Sequence, residues 1–180
     1  MSNSLLKSVP SVIFKDRYYD EQSKRFEWSE LRTSDACRSA NDERVIIFGL
    51  PGAFTPTCTT QQLPQYEAQY EKFKELGVKE VYCCSVNDVF VMRAWFEDLG
   101  IKNVKYLADG TGEFTDALGM LVNKSNLGFG QRSWRYSMVI RNNKIEWIFE
   151  EPGKIGNSQE DPYEVSSPTV LLEWLKKHRI

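Results

Sequence analysis

A chain of 180 residues is long enough to bury a sizeable core without covalent staples, and it is read as one domain spanning residues 1–180. A hydrophobic fraction of 41% beside 27% charged residues is that of an ordinary globular protein, and the net charge of −2 gives no electrostatic case for nucleic acid or an anionic membrane. No apolar run approaches the roughly 20 residues needed to cross a bilayer. The segment MSNSLLKSVPSVIFKDRYYD lacks a basic stretch followed by an apolar core and a small-residue cleavage site, so a secretory leader is not expected. Four cysteines (Cys37, Cys58, Cys83 and Cys84) are too few and too uneven for a disulfide framework. A reducing compartment follows: the cytoplasm, with an organellar matrix left open.

In chain order, residues 1–43 read as an N-terminal extension of short strands and loops. VIIFGL (45–50) is a continuous apolar run of strand length, suited to burial on both faces. A helix follows from about Cys58 to Leu76, with Leu63, Tyr66, Tyr70 and Phe73 on one face and Gly77 as its stop. Pro64 inside it predicts a kink. EVYCCSV (80–86) reads as a second buried strand, and VFVMRAWFEDLG (89–100) as a helix capped by Asn87 or Asp88. VKYLAD is a short strand and GEFTDALGM a short helix. RYSMVIR and KIEWIFEE flank Asn142-Asn143, a hairpin signature because asparagine tolerates positive φ. Ser167-Pro168 opens a last helix reaching about Lys177. Strand–helix alternation followed by a hairpin and a helix argues for an α/β fold. Its mixed central sheet is flanked by helices in the thioredoxin-like order.

The chemistry concentrates in PGAFTPTCTT, residues 51–60. Cys58 falls in the first turn of the predicted helix, where unpaired N–H groups and the positive end of the dipole favour thiolate over thiol. Thr55 can bring its hydroxyl beside the sulfur. Pro51 offers a rigid wall with no donor, and Pro56 fixes the backbone entering the helix. A free cysteine is ordinarily a small buried hydrophobe. A helix start, Thr55 and a proline-shaped turn together favour the reactive reading.

Pro51, Thr55 and Cys58 also match the P-x-x-x-T-x-x-C signature, and the chain here resembles the peroxiredoxins, type V (plant type II). The likeness continues through SVNDVFVMRAWFEDLGI, DGTGEFTDALGM, NLGFGQRSWRYSMVI and DPYEVSSP, from about Val9 to the end. The resemblance implies a thiol peroxidase acting on hydrogen peroxide and small organic hydroperoxides in an antioxidant role, without metal or other cofactor. Cys58 would be the peroxidatic nucleophile that becomes a sulfenic acid. Thr55 would align the peroxide, Pro51 would shield the sulfur, and Gly52 and Phe54 would flank the substrate pocket. The residues alone leave Arg132 and Arg135 open as the active-site cation; the likeness selects Arg135, which directly precedes the YSMV strand. A homodimer is implied as well.

The loop EPGKIGNSQEDPYEVSSP, where some type V members carry a resolving cysteine, contains none; Ser158 stands in its place. Cys83 and Cys84 point to opposite faces of one strand, so at most one can face Cys58, and core packing is the favoured reading for both. Cys37, in a polar loop, is expected as an incidental surface thiol. An external thiol therefore completes the cycle, with glutathione and glutaredoxin favoured and thioredoxin as the alternative. The ending resembles the peroxidase half of peroxiredoxin–glutaredoxin fusions, which implies a glutaredoxin acting in trans. A rival reading is a peroxide sensor or chaperone using the same Cys58, separable by multiple turnover. A thiol–disulfide oxidoreductase is weaker, since no C-x-x-C is present. With His178 the only histidine, a metal site is not expected, and no phosphate-binding glycine motif occurs. Trp95, Trp134, Trp147 and Trp174 read as core or interface aromatics.

Overall fold

The computed structural model describes residues 8–179. Residues 1–7, part of the extension and of the segment inspected for a leader, lie outside that range, as does residue 180. Two strands open the described chain, β1 (Ile13–Asp20) and β2 (Arg25–Arg32), paired antiparallel from Ile13↔Arg32 to Asp20↔Arg25. Asp20 holds their connection by accepting from the N–H groups of Gln22 and Ser23, each at 3.1 Å. The short helix α1 (Thr33–Ala36) leads to β3 (Arg44–Gly49), which is buried at every position, as its unbroken apolar run requires.

A helical stretch begins at Pro56 and passes through a π turn (Cys58–Gln62) into α2 (Leu63–Ala68) and α3 (Tyr70–Glu75). It carries the chain over to β4 (Val78–Ser85), and α4 (Val89–Asp98) carries it on to β5 (Lys105–Ala108). Beyond lie α5 (Glu113–Ala117), the small antiparallel pair β6 (Leu121–Asn123) and β7 (Gln131–Ser133), the hairpin β8 (Tyr136–Arg141) and β9 (Lys144–Glu150), and finally α6 (Pro168–Lys177). The main sheet has five strands in the order β5-β4-β3-β8-β9. β3, β4 and β5 are mutually parallel and β8 and β9 antiparallel, so the sheet is mixed, as anticipated. Parallel neighbours need a crossover, and the two helical connections supply it.

Alternation along the strands divides the core. Ile46 and Phe48 of β3 join Val81 and Cys83 of β4 on one face, beneath α2, α4 and α6. Val45, Ile47, Tyr82 and Cys84 face the other way, toward Phe14, Phe114 and Met138. A column of rings pins α2 and α3 to the sheet: Phe48 stacks on Tyr66 at 3.9 Å and Tyr66 on Phe73 at 5.9 Å between centroids. Each such pair adds about 0.5–1.5 kcal/mol beyond its buried area. The N-terminal hairpin docks on α4 through Arg17, whose guanidinium lies 5.1 Å over Trp28 and 5.4 Å over Phe90. Of the four tryptophans expected as core or interface aromatics, Trp95 and Trp134 are core residues. Trp147 and Trp174 are half-buried and stack on each other at 6.5 Å. No described helix is long and apolar enough to cross a membrane.

Local signals mostly hold. Asn142 and Asn143 both take positive φ (47° and 64°) between β8 and β9. Ser167 caps α6 by accepting from Val170 N–H at 3.4 Å. Asp88 rather than Asn87 caps α4, taking the Phe90 and Val91 N–H groups at 2.9 and 3.0 Å. The single kinked helix expected over 58–76 is instead three pieces. Pro64 has no N–H to give to Thr60, and one turn earlier the ladder widens, with Leu63 N–H bonding Cys58 O five residues back. A second interruption falls at Gln69 (φ −105°, ψ 8°), which no proline signals.

Cys37 is a correction. It is 0% exposed, packed at the end of α1 with Ala36, Val12 and Phe14. Asp35 and Arg38 beside it are exposed, while Ala36 and Cys37 turn inward together with the polar Thr33 and Ser39. Burial, slightly offset by the charge of Lys79, pushes its thiol up to about 12. Iodoacetamide at pH 8 is therefore expected to leave Cys37 unlabelled in the native protein and to label it after unfolding in guanidinium. Native labelling seen by peptide mass mapping would restore the surface-thiol reading.

Candidate active site

The turn behind β3 is fixed by short polar contacts. Ala53 N–H donates to Asn87 Oδ1 at 3.0 Å, and the same oxygen accepts from Ser85 Oγ at 2.6 Å. Phe54 occupies left-handed backbone (φ 62°), an uncommon state for a bulky residue, and its ring is 53% exposed. Thr55 donates its hydroxyl proton to Gly52 O at 2.7 Å, and its carbonyl accepts Thr59 N–H at 3.0 Å, opening the helical stretch at Pro56. Cys58 therefore lies in the first turn, where N–H groups lack intrahelical acceptors, as the sequence implied. Its side chain is 0% exposed among Leu50, Ala53, Leu63 and Trp95. From the next position, Thr59 Oγ1 accepts from Trp95 Nε1 at 3.0 Å, tying the turn to α4.

Arg135, just ahead of β8, is 1% exposed and reaches this sulfur. Nη2 stands 3.5 Å from Cys58 Sγ. The other donors are occupied: Nε by Gln62 Oε1 at 2.8 Å, and Nη1 by Pro162 O and Asp161 Oδ1, both at 2.8 Å. Burial works against the charged guanidinium, but the Cys58 sulfur and the Asp161 carboxylate outweigh it and hold the arginine above its usual value. A permanently charged donor beside a sulfur shut off from water stabilises negative charge there.

The competing cation is also present, in a different role. Arg132 donates from Nη1 to Pro51 O at 3.3 Å and from Nε to Phe129 O at 3.2 Å, buttressing the turn instead of the sulfur. Its guanidinium packs over Gly52, where an added Cβ would come within 2.3 Å of Nη1. Beside the turn opens a cavity of about 300 Å³ whose lining includes Pro51, Thr55, Pro56, Leu127, Phe129 and Asp161. Gly52 and Phe54 are not among its lining residues; one lies under Arg132 and the other points to solvent.

The family profile described as redoxin matches residues 30–164. A curated peroxiredoxin of Rhizobium etli is 51% identical over 94% of this chain and 95% of its own length. A hybrid peroxiredoxin of Haemophilus influenzae is 44% identical, with 97% of this chain and 67% of the relative covered. Among solved structures, the Plasmodium falciparum antioxidant protein, a 1-Cys peroxiredoxin, superposes with a TM-score of 0.87 at 34% identity, covering 94% of this chain and 98% of that one. The chain belongs to the peroxiredoxins. These are thiol peroxidases built on the thioredoxin-like fold, in agreement with the resemblance read from PGAFTPTC and RSWRYSMV.

Within this peroxiredoxin the structure brings Pro51, Thr55, Cys58 and Arg135 together, and it adds two residues that the sequence did not single out. Gln62 is 0% exposed, accepts from Arg135 and donates to Gly49 O at 3.4 Å. A glutamine four residues after the cysteine, on the same side of the helix, was the available signal. Asp161 had none beyond its place in the last loop. Cys83 lies on the Cys58 face and Cys84 on the opposite one. Burial, followed by the neighbouring Cys84 and Cys58 sulfurs, pushes the Cys83 thiol well above its ordinary range. Replacing Gln62 with leucine should strip a buried, charged N–H of its acceptor. The expected cost is about 2 kcal/mol, seen as a lower Tm in thermal denaturation together with slower peroxide consumption. An unchanged Tm would show that Arg135 is held without Gln62.

Proposed function

We propose that Cys58 is the nucleophile of this thiol peroxidase, acting on hydrogen peroxide and small organic hydroperoxides. Its sulfur attacks the distal peroxide oxygen; an S–O bond forms as the O–O bond breaks, and water or an alcohol leaves. Cys58 becomes a sulfenic acid, so the sulfur itself carries the redox change. The observation that carries this reading is Arg135 Nη2 at 3.5 Å from Sγ. There the guanidinium meets the charge growing on the leaving oxygen. With its own proton committed to Gly52 O, Thr55 Oγ1 offers lone pairs to a peroxide O–H. Pro51, on the cavity wall, brings no donor that would compete for the sulfur.

Regeneration by an external thiol, glutathione with glutaredoxin, is the second part of the reading. It is supported by a buried Cys83 that resists ionisation and by the cysteine-free loop after β9. Similarity to a hybrid peroxiredoxin and to a 1-Cys peroxiredoxin adds weight. Cys58→Ser is expected to abolish peroxide consumption. Arg135→Met should slow it by about 10²-fold or more. Cys37, Cys83 and Cys84 changed together to alanine should leave most of it, and one equivalent of peroxide should give a single oxygen adduct on Cys58. A disulfide found by non-reducing mass analysis would defeat the external-thiol reading, and turnover with thioredoxin but not with glutathione and glutaredoxin would defeat the choice of reductant.

The homodimer belongs to the same reading, with the exposed Phe54 and Leu127 as apolar contacts at the edge of the site. Phe54→Asp is expected to shift a dimer to a monomer in analytical ultracentrifugation; an unaltered sedimentation coefficient would remove Phe54 from the interface.

A further inference from the structure

The cavity beside Thr55 contains a charged group for which the peroxide step has no use. Lys124, directly after β6, is 3% exposed yet lines that cavity with Pro51, Thr55 and Asp161. Among the described residues no carboxylate or carbonyl oxygen pairs with its ammonium, which stands 5.4 Å over the ring of Trp134. Lys154, by contrast, is matched: it bonds Gly119 O at 2.9 Å and Glu150 Oε1 at 3.1 Å. The ammonium lines the cavity without a carboxylate partner among the described residues, and a carboxylate entering the cavity would pair with it through a charge-assisted hydrogen bond.

The remaining lining sets the class of reactant. Asp161 is engaged by Arg135, whereas Glu160 makes no ion pair among the described residues. Lys124 and Glu160 thus place both signs of charge around a space in the size range of small-molecule sites. That pattern suits a zwitterionic, carboxylate-bearing thiol of tripeptide size better than a hydroperoxide with a long apolar tail.

We propose that Lys124 is an anion subsite that seats the carboxylate of a small reactant beside Cys58, and that this reactant is the reducing thiol. The inference rests on Cys58 passing through a sulfenic acid. The seated thiolate attacks the sulfenyl sulfur; the S–S bond forms, the S–O bond breaks, and hydroxide leaves to become water on taking a proton. Peroxide has already oxidised Cys58. The thiol reduces it to the mixed disulfide, and a second thiol releases the Cys58 thiolate.

The test oxidises the full chain with one equivalent of hydrogen peroxide. It then follows reduction by 3-mercaptopropionate and by neutral 2-mercaptoethanol, each rate corrected for its thiolate fraction. Lys124→Met is expected to slow the carboxylate thiol about tenfold and to leave the neutral thiol unchanged. In the unaltered protein, salt raised to about 0.5 M should slow the carboxylate thiol selectively, a readout that does not depend on the variant folding. Equal losses with both thiols, no loss with either, or no selective salt effect would overturn the subsite. A parallel arm compares linoleic acid hydroperoxide with its methyl ester. If the Lys124-dependent preference appears there and not with the thiols, the assignment to the reductant is overturned. Failure of Cys58 to gain oxygen at the outset would refute the proposed function itself, a result separate from any of these.

Discussion

A guanidinium cannot be buried alone, and the active-site end of this peroxiredoxin is organised by that constraint. Arg135 is 1% exposed, and its donors are met from two separate parts of the chain: Cys58 and Gln62 in the π turn, and Asp161 and Pro162 in the last loop. Each partner must be in place for the cation to be tolerated, so a single charge couples the helix that carries the sulfur to a loop about a hundred residues later in the chain. The face of Tyr163, 5.7 Å from the guanidinium carbon, closes the remaining side. Since the protein atoms hold the other donors, Nη2 is the one directed at the sulfur.

The loop that supplies Asp161 and Pro162 has no regular structure between β9 and α6 and is anchored by a buried carboxyl group. Glu151 is 0% exposed, and its Oε1 accepts from Glu164 N–H, Ser166 N–H and Ser166 Oγ between 2.8 and 2.9 Å. On the backbone side, Glu151 N–H bonds Arg135 O and Glu151 O accepts from Trp134 Nε1. Tyr66 OH, from α2, reaches Ser166 O at 2.6 Å. Geometry around the sulfur is thus tied to a chain of buried polar contacts, in which Glu151 Oε2 is left without a partner among the described residues.

The same environment separates four cysteines of identical intrinsic chemistry. Cys37, Cys83 and Cys84 are buried with no cation against the sulfur, and burial holds each as a thiol. Cys58 is equally buried, but it has a guanidinium at hydrogen-bonding distance and a widened helical turn around it. Exposure does not distinguish Cys58 from the other three; an arginine N–H directed at its sulfur does.

The order of strands and helices was legible because each element carries a local cause: the apolar VIIFG run, the asparagine pair between β8 and β9, the serine–proline start of α6. Cys58, Thr55 and Pro51 were legible for the same reason, since eight consecutive residues carry both the signature and the turn that shapes it. Gln62 and Asp161 were not, because their role exists only against Arg135, and neither spacing nor composition shows a partner 73 or 26 residues away. Cys37 was misjudged because a polar stretch says nothing about which of its side chains turns inward. By itself the sequence determined the elements, the family and the place of Cys58 in the first turn of a helix, all set by interactions within a few residues of chain. Only the tertiary structure decided which arginine faces that sulfur, which thiols are silenced and what lines the cavity, because burial and charge pairing depend on residues that meet only when the sheet is complete.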